Sequence, residues 1–350
     1  MKNKVSLKTN KKNQKYDILI GTGGIGSGMF VELKGNHTLG REESRAGRIL
    51  NRRDYCKLHI ISHYISVLLG QNFKAIPIGY VGEDTTGNHL IDEMKNAGID
   101  TRFVKKLKNK QTLFSICFTY PDKSGGNITT DNSACSYVTP ATITIAMPLL
   151  SKHKNRAIAM AVPEVPLPSR LKLLNIASRY GCFTAASFVS GEMLEVRKKN
   201  ILKNVNYLAI NIHEAAMLAG ISDSMPAERI VAKAFLFLSK KYPFLLCSIT
   251  AGKKGSWVMD ANGNKSYCKP IPVKVISTAG AGDAFMSGML TGIVMGLPLQ
   301  ECHELANIVS SLAVMSPHTI NPGINRISIF NLVKKYKIKI GSKLRIALGG

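Results

Sequence analysis

Ser277-Thr278-Ala279-Gly280-Ala281-Gly282-Asp283-Ala284-Phe285 is the stretch on which the reading of the whole chain turns. The run Ile271 to Ile276 before it is expected to be a strand. Behind it, Phe285 to Val294 is apolar with Gly288 and Gly292 four residues apart, the pattern of a closely packed helix opening at the glycine turn. Such a helix presents backbone N–H groups without intrahelical partners at the positive end of its dipole, so an anion can dock at the turn. Asp283 then lies in the first turn, where a carboxylate is either a plain dipole partner or a functional group. The other pieces of the chain decide between the two.

A length of 350 residues with 45% hydrophobic side chains fits one large α/β unit carrying a small appendage. The longest mostly apolar stretches, Ile143 to Leu150 and Ile230 to Leu238, fall well short of the roughly 18–20 residues that span a bilayer. No membrane partner is expected. Seven cysteines, with no C-x-x-C pair, read as buried reduced thiols in a cytoplasmic protein. The net charge is +25, and part of it sits at the ends, where six lysines precede Tyr16 and six further cations lie between Lys334 and Arg345. Residues 1–15 and 326–350 are therefore expected to be basic tails around a domain of residues 16–325. The remaining excess favours a negatively charged ligand on the body of the protein.

Tyr16 to Ile20 reads as a short strand ending in Gly21-Thr22-Gly23-Gly24-Ile25-Gly26, which matches the G-x-G-x-x-G dinucleotide fingerprint. That fingerprint needs a following helix and a second strand, yet Gly35, Asn36, Gly40 and the charged run Arg41 to Arg48 stand there instead. Residues 40–59 mix guanidinium groups, acids and glycine without periodicity through Gly47. They read either as a solvated loop or as a substrate loop in which guanidiniums grip an anion and acids hold hydroxyl groups. A helix is expected from Asp54, its N-cap, to the stop at Gly70. His59 and His63 on it are i, i+4 neighbours with no third ligand in view, so a packed or solvated pair is expected rather than a metal site. Phe73 to Ile78 reads as a strand. Segments 101–105, 111–120 and 127–130 alternate like exposed strands and, with the start of the chain, suggest a small sheet acting as a lid.

From Ala157 the rhythm is strand then helix through Ile249, which means parallel strands joined by crossover helices. Ligands in such sheets bind beyond the strands' C-terminal ends. Asn211 and Glu214 fall there, as a cap and a dipole partner or as ligands for a magnesium ion held partly through water. So does the turn Thr250-Ala251-Gly252-Lys253-Lys254-Gly255-Ser256, which could border a nucleotide.

The order of these pieces resembles the ribokinase family of carbohydrate kinases, also called the PfkB family. Val81-Gly82-Glu83-Asp84 with Gly87 resembles its V-G-x-D-x-x-G segment. Asn211 to Glu214 resembles its N-x-x-E motif, Thr250 to Ser256 its T-x-G-x-x-G turn, and Thr278 to Phe285 its C-terminal signature. The resemblance implies a ribokinase-like three-layer α/β/α sandwich, mostly parallel, with a small β-sheet lid whose strands fall within about 17–40 and 100–130. It implies Asp283 as general base toward ATP, the N–H groups of Gly280, Ala281 and Gly282 as anion hole, and Asn211 with Glu214 organising Mg2+. Thr250, Gly252, Lys253 and Gly255 would flank the nucleotide, with Asn307 on its adenine side. A homodimer through the lid is a further arrangement to consider.

Departures from the family pattern lie at the sugar end. Gly26 stands where an acid is usual, Cys56-Lys57-Leu58-His59-Ile60-Ile61 replaces G-G-x-x-x-N, and Ser277 replaces the acid that opens the signature, which puts a monovalent-cation site in doubt. Arg41, Glu42, Glu43, Arg45, Arg48, Asp54, Lys57 and His59 are therefore the expected substrate residues, and their cationic bias hints at an acceptor such as a sugar phosphate. The expected function is ATP-dependent phosphorylation of a hydroxyl on a small sugar-like molecule. The alternatives are a nucleoside kinase of the same fold, a dinucleotide-dependent oxidoreductase and a non-catalytic nucleic-acid-binding relative. Nucleic acid is not the expected partner, because a scaffold has no need of Asp283, Asn211 and Glu214 together.

Overall fold

The computed structural model describes residues 6–9, 11–122 and 125–350. Its strands are β1 (Ile18–Thr22), β2 (Gly26–Leu33), β3 (Gly47–Tyr55), β4 (Lys74–Gly82), β5 (Phe103–Leu107), β6 (Leu113–Thr119), β7 (Gly125–Thr129), β8 (Ala157–Ala161), β9 (Phe183–Ala186), β10 (Tyr207–Asn211), β11 (Leu246–Thr250), β12 (Ser256–Met259) and β13 (Lys265–Cys268). The helices are α1 (Lys57–Leu69), α2 (Thr85–Asn96), α3 (Pro140–Ile143), α4 (Met147–His153), α5 (Leu167–Arg179), α6 (Met193–Lys198), α7 (Ile212–Ala219), α8 (Ala227–Lys241), α9 (Ala281–Met295), α10 (Leu299–Ala313), α11 (Arg326–Lys335) and α12 (Ser342–Leu348).

Nine strands form the main sheet in the order β13-β12-β11-β10-β9-β8-β1-β4-β5. Every pair from β11 to β5 is parallel, with Ile20 flanked by Ala159 and Ile76, and β1 and β8 are buried at every residue. Helices on both faces cause this, because a strand shielded on two sides has no polar face to alternate with. Four more strands, in the order β3-β2-β6-β7, make the small second sheet. The architecture expected from the alternation of elements is therefore present.

Several boundaries differ, each for a physical reason. β5, expected in the lid, joins the main sheet beside β4. The loop expected through residues 40–59 closes into β3, an exposed lid strand that keeps its charges because only Asp54 among its nine residues is buried. Asp54 is thus a strand residue, and α1 opens two residues later, with Cys56 as its N-cap. β2 begins inside the glycine-rich run, so a strand follows G-x-G-x-x-G where a dinucleotide fingerprint needs a helix. Residues 271–276 form no strand. Pro272 interrupts them, Val275 is exposed, and the N–H groups of Ile276 and Ser277 both donate to Val314 O. The edge hairpin β12–β13 occupies that side of the sheet instead.

The expected C-terminal tail is α11 and α12, with Ile329, Leu332, Leu344 and Leu348 buried in the largest core cluster. The N-terminal segment lies partly in residues 1–5 and 10, outside the described residues. Its described part is packed as well: Leu7 is buried, its N–H donates to Leu68 O, and Lys8 N–H donates to Ala347 O. α9 and α10 pack most closely where Gly288 and Gly292 lie, since a Cβ there would fall 2.5 Å from Ala306 Cα and 2.8 Å from Cys302 Sγ. All seven cysteines are free. Among the described residues no helix is long and apolar enough to cross a membrane.

Candidate active site

Gly280 is the N-cap of α9 with φ 76°, a left-handed conformation in which Thr319 O would lie 2.6 Å from any Cβ. Only glycine fits both demands. The turn aims the first residues of α9 past the C-terminal ends of β10 and β11. A cavity of about 70 Å3 lies there, lined by Lys57, Asn211, Glu214, Thr250, Gly282 and Asp283 among others. Space over Gly282 is open, as the docking of an anion requires, whereas the Ala281 N–H is turned onto Thr278 O at 3.2 Å.

Asp283, at the third position of α9, accepts from Lys57 Nζ at 3.2 Å with its side chain 13% exposed. That carboxylate is the main reason the Lys57 ammonium is held well above its ordinary range; Glu164 and Glu214 add to the effect and burial opposes it. Lys57 reaches the site because α1 opens beneath the lid with its first residue facing α9. Two residues on, His59 points to nearly the opposite side of the helix. It is buried against the Tyr55 ring at 4.9 Å, away from the cavity.

Glu164 is the residue that sequence reasoning missed. It follows β8 with φ 78°, and its Oε2 accepts from the Lys57 N–H at 3.2 Å. Gly24 lies directly beneath, where a Cβ would come 2.3 Å from that oxygen. Burial pushes the Glu164 carboxyl up to about 7, with Asp283 adding to the rise and Lys57 opposing it. The rule that ligands sit beyond strand ends, applied to β8 as it was to β10, would have found this residue. Asp54 joins the group from the lid. It is buried beside Gly28 and accepts from Ser115 Oγ at 2.5 Å and from Cys117 Sγ at 3.3 Å. Burial raises the thiol of Cys56, and both Glu164 and Asp54 raise it further.

Asn211 and Glu214 form a capping box: Asn211 Oδ1 accepts from Glu214 N at 2.9 Å and Glu214 Oε2 from Asn211 N at 2.8 Å. Burial raises the Glu214 carboxyl, with Asp283 nearby adding to it. One carboxylate oxygen beyond the cap, on a residue lining the small cavity, fits a hydrated magnesium ion completed by phosphate oxygens and not an all-protein cage. Consistently, no cluster of three His, Cys, Asp or Glu side chains among the described residues is disposed to hold a metal by itself.

The remaining expected residues are scattered. Thr250 lines the cavity. Gly252 and Lys253 are exposed on the turn beyond it, and Gly255 is buried there with φ 92°. Asn307 Nδ2 donates to Lys269 O at 2.9 Å, fixing the end of β13. Arg41 and Glu42 are exposed at the lid tip, where Glu42 has φ 64°. The Arg45 side chain is only 5% exposed, being bound to Glu43 at 2.5 Å and to His37 O at 2.6 Å. Arg48 pairs with Glu32 at 2.7 Å, six residues along β3 from Asp54, or roughly 20 Å at strand rise. The structure brings Lys57 and Asp283 together, buries Asp54 in the lid against Ser115 and Cys117, and leaves Arg41, Glu42, Arg45, Arg48 and His59 away from that pair.

The pattern described as pfkB family carbohydrate kinase matches residues 62–326. A ribokinase of Schizosaccharomyces pombe is 29% identical over 244 residues, covering 69% of this chain and 74% of that protein. Ribokinase of Arabidopsis thaliana complexed with ribose and ATP superposes with a TM-score of 0.69 at 19% identity, covering 91% of this chain and 99% of that one. A Burkholderia thailandensis nucleoside kinase in complex with inosine gives a TM-score of 0.71 at 16% identity, with 93% and 100% covered. With the glycine turn, the aspartate on it and the lidded parallel sheet in place, the chain belongs to the pfkB family of carbohydrate kinases.

Proposed function

We propose that the protein transfers the γ-phosphoryl group of ATP to a hydroxyl of a neutral, polyhydroxylated acceptor, a sugar or a nucleoside, held under the lid between Asp54, Glu164 and Lys57. The observation that carries this is the Lys57–Asp283 pair at the N-terminus of α9, with Glu164 on the same lysine's backbone N–H. Asp283, paired with Lys57, takes the proton of the acceptor hydroxyl as that oxygen bonds to phosphorus and the bond to the β-phosphate bridging oxygen breaks. ADP leaves and the proton stays on Asp283. The open N–H end of α9 at Gly282 meets the charge on the transferred group, and Lys57 is placed to follow that charge. Magnesium, when bound with the nucleotide, offsets phosphate charge, and Asn211 and Glu214 would hold it.

Asp54 and Glu164 accept hydrogen bonds from hydroxyl groups and repel anions. Arg45 and Arg48, which had hinted at an anionic acceptor, are engaged with Glu43 and Glu32. That is why the neutral class is preferred over a sugar phosphate. Names among the relatives, ribokinase and nucleoside kinase, support both members of the class. The kinase domain, expected over residues 16–325, is read as extending through α11 and α12, whose apolar residues belong to the same core. A cytoplasmic location is supported by the seven free thiols, and a homodimer through the lid by exposed Ile49 and Ile128.

The test is acceptor-dependent ADP formation across a panel of sugars, nucleosides and sugar phosphates. Asp283→Asn is expected to lower kcat by roughly 100- to 10,000-fold with little change in acceptor KM. Equal turnover by Asp283→Asn, or no acceptor in the panel that drives ADP release, would sink the reading.

A further inference from the structure

A cavity of about 480 Å3 opens where β1 and β4 begin and α4 ends, at the opposite end of the parallel sheet from the catalytic cleft. α1 spans the distance between them, from Lys57 at the cleft to Leu69, next to Gln71 and Asn72 on the cavity wall, or roughly 18 Å at helical rise. The wall is tied together from within. Buried Gln14 donates through Nε2 to Tyr16 O at 2.7 Å and to Asn72 O at 3.3 Å, and Arg156 Nη2 donates to Gln14 O at 3.3 Å.

The charges around this cavity do not balance. Arg156 clasps Asp17 with Nε at 2.7 Å and Nη2 at 2.6 Å, and Arg102 clasps Asp100 with Nε at 2.9 Å and Nη2 at 2.6 Å. Those four groups cancel in pairs. Lys11, Lys74 and Lys152 also line the cavity, each exposed and each from a different segment. None of the three has a hydrogen-bond or ion-pair partner among the described residues. Lys11 and Lys74 are close enough to help hold the Asp17 and Asp100 carboxyls below their ordinary range, but the guanidiniums already occupy those acids. His153 stands on the same rim, its Nδ1 4.0 Å from Asp17 Oδ2.

An exposed ammonium in water is under no strain, so the signal is convergence: three uncompensated cations on one concave surface focus a positive potential there. A metal ion is repelled. A neutral sugar uses none of the three, and a monoanion engages them one at a time. Single-stranded nucleic acid needs cations along an extended groove with aromatic stacking platforms. Here the cations surround a bounded hollow whose inner wall is Ile18, Ile76 and Leu149. The lid arginines, by contrast, are taken up by Glu43 and Glu32.

We propose that this cavity is a second ligand site, for a small molecule carrying two or more phosphate groups, which Lys11, Lys74 and Lys152 bind together. Its size is that of a small-molecule site. Phosphate oxygens accept from the ammonium groups, and the amides of Gln71 and Asn72 on the same wall offer further donors.

Binding does not depend on the kinase reading and is measured without turnover. The full chain is titrated by calorimetry, at physiological ionic strength and without magnesium, with tripolyphosphate and with fructose 1,6-bisphosphate. The tighter of the two tells a free phosphate chain from phosphates borne on a sugar. Saturable binding of at least one is expected. Lys74→Gln/Lys152→Gln should weaken it about tenfold or more, the loss of two charge-assisted contacts. Lys233→Gln/Lys240→Gln, which removes the same charge from exposed positions of α8, should change it less than about twofold because salt screens distant charges. Circular dichroism melting checks that both variants are folded. Absence of saturable binding by both compounds at millimolar concentration overturns the proposal. So does binding that the Lys74/Lys152 pair leaves unmoved, which would put the anion at the α9 turn, or equal weakening by both pairs, which would make it a diffuse field. Displacement by a dephosphorylated oligothymidine at equal phosphate concentration would make the face a nucleic-acid surface and overturn it as well.

Discussion

Lys57 and Asp283 are 226 residues apart in the chain and 3.2 Å apart in the fold, and the chemistry depends on that contact. The pair holds the base in place at the start of α9, and Glu164 sets how the acceptor side responds to pH. A carboxyl raised from 4.5 to about 7 binds more protons in the folded than in the unfolded chain between those values, so it lowers stability as pH rises through that window. Glu164→Gln should flatten the fall in thermal stability between about pH 4.5 and pH 7. In the parent protein the acceptor KM should decrease as pH rises through 7, because only the ionised form accepts two hydroxyl hydrogen bonds. A KM independent of pH there would remove Glu164 from acceptor binding. Arg45→Ala is expected to leave the acceptor KM unchanged, since its guanidinium is bound within the lid tip to Glu43 and to the carbonyls of His37 and Thr38. A several-fold rise in KM would return Arg45 to the site. Glu164 was legible only by its place just beyond β8, since it lies in an unremarkable P-E-V-P run, and Arg45 reads like any free cation until its partners are placed around it.

At the scale of elements, α9 and α10 act as one body. Gly288 and Gly292 let the two backbones meet, and the N-terminus of α9 is aimed by that contact. Gly288→Val drives a branched side chain into the Ala306 backbone, and over-packing of this kind costs about 1–3 kcal/mol or more. Chemical denaturation should show that loss, and turnover should fall with it because Gly282 and Asp283 move with the helix. This much was legible, since glycines at four-residue spacing in an apolar run imply close helix contact. The lid was legible only in part. β6 and β7 alternate as exposed strands do, but β3 reads as a charged loop, because a strand with solvent on both sides along most of its length has no apolar face to give it a period. Residues 271–276 mislead in the opposite sense. They are apolar enough for a strand, yet Pro272 and the carbonyl of Val314 hold them as an irregular linker.

For the whole molecule, the two ends of the chain are joined to each other and to the core. Lys8 hydrogen-bonds Ala347, Leu344 and Leu348 are buried, and Glu301 Oε2 accepts from Leu344 N at 2.5 Å. Deleting residues 342–350 should lower the melting temperature by several degrees, as the loss of two buried leucines implies at about 1.5–3 kcal/mol each. A solvated tail would leave it unchanged. The basic excess of the ends hid this packing, because lysines on one face of a short amphipathic helix give the same composition as a disordered tail.

The sequence by itself determined the order of strands and helices from Ala157 to Ile249, the glycine turn with Asp283, and the Asn211–Glu214 cap. Each is a local pattern whose physics is complete within a few residues. Only the tertiary structure decided the acceptor side. It swung Lys57 onto Asp283 and His59 away from it, set Glu164 over Gly24, turned Asp54 in from the lid, and tied Arg45 and Arg48 to lid carboxylates. Those outcomes depend on contacts between segments far apart in the chain, where burial and charge pairing, not local propensity, set the direction in which each side chain points.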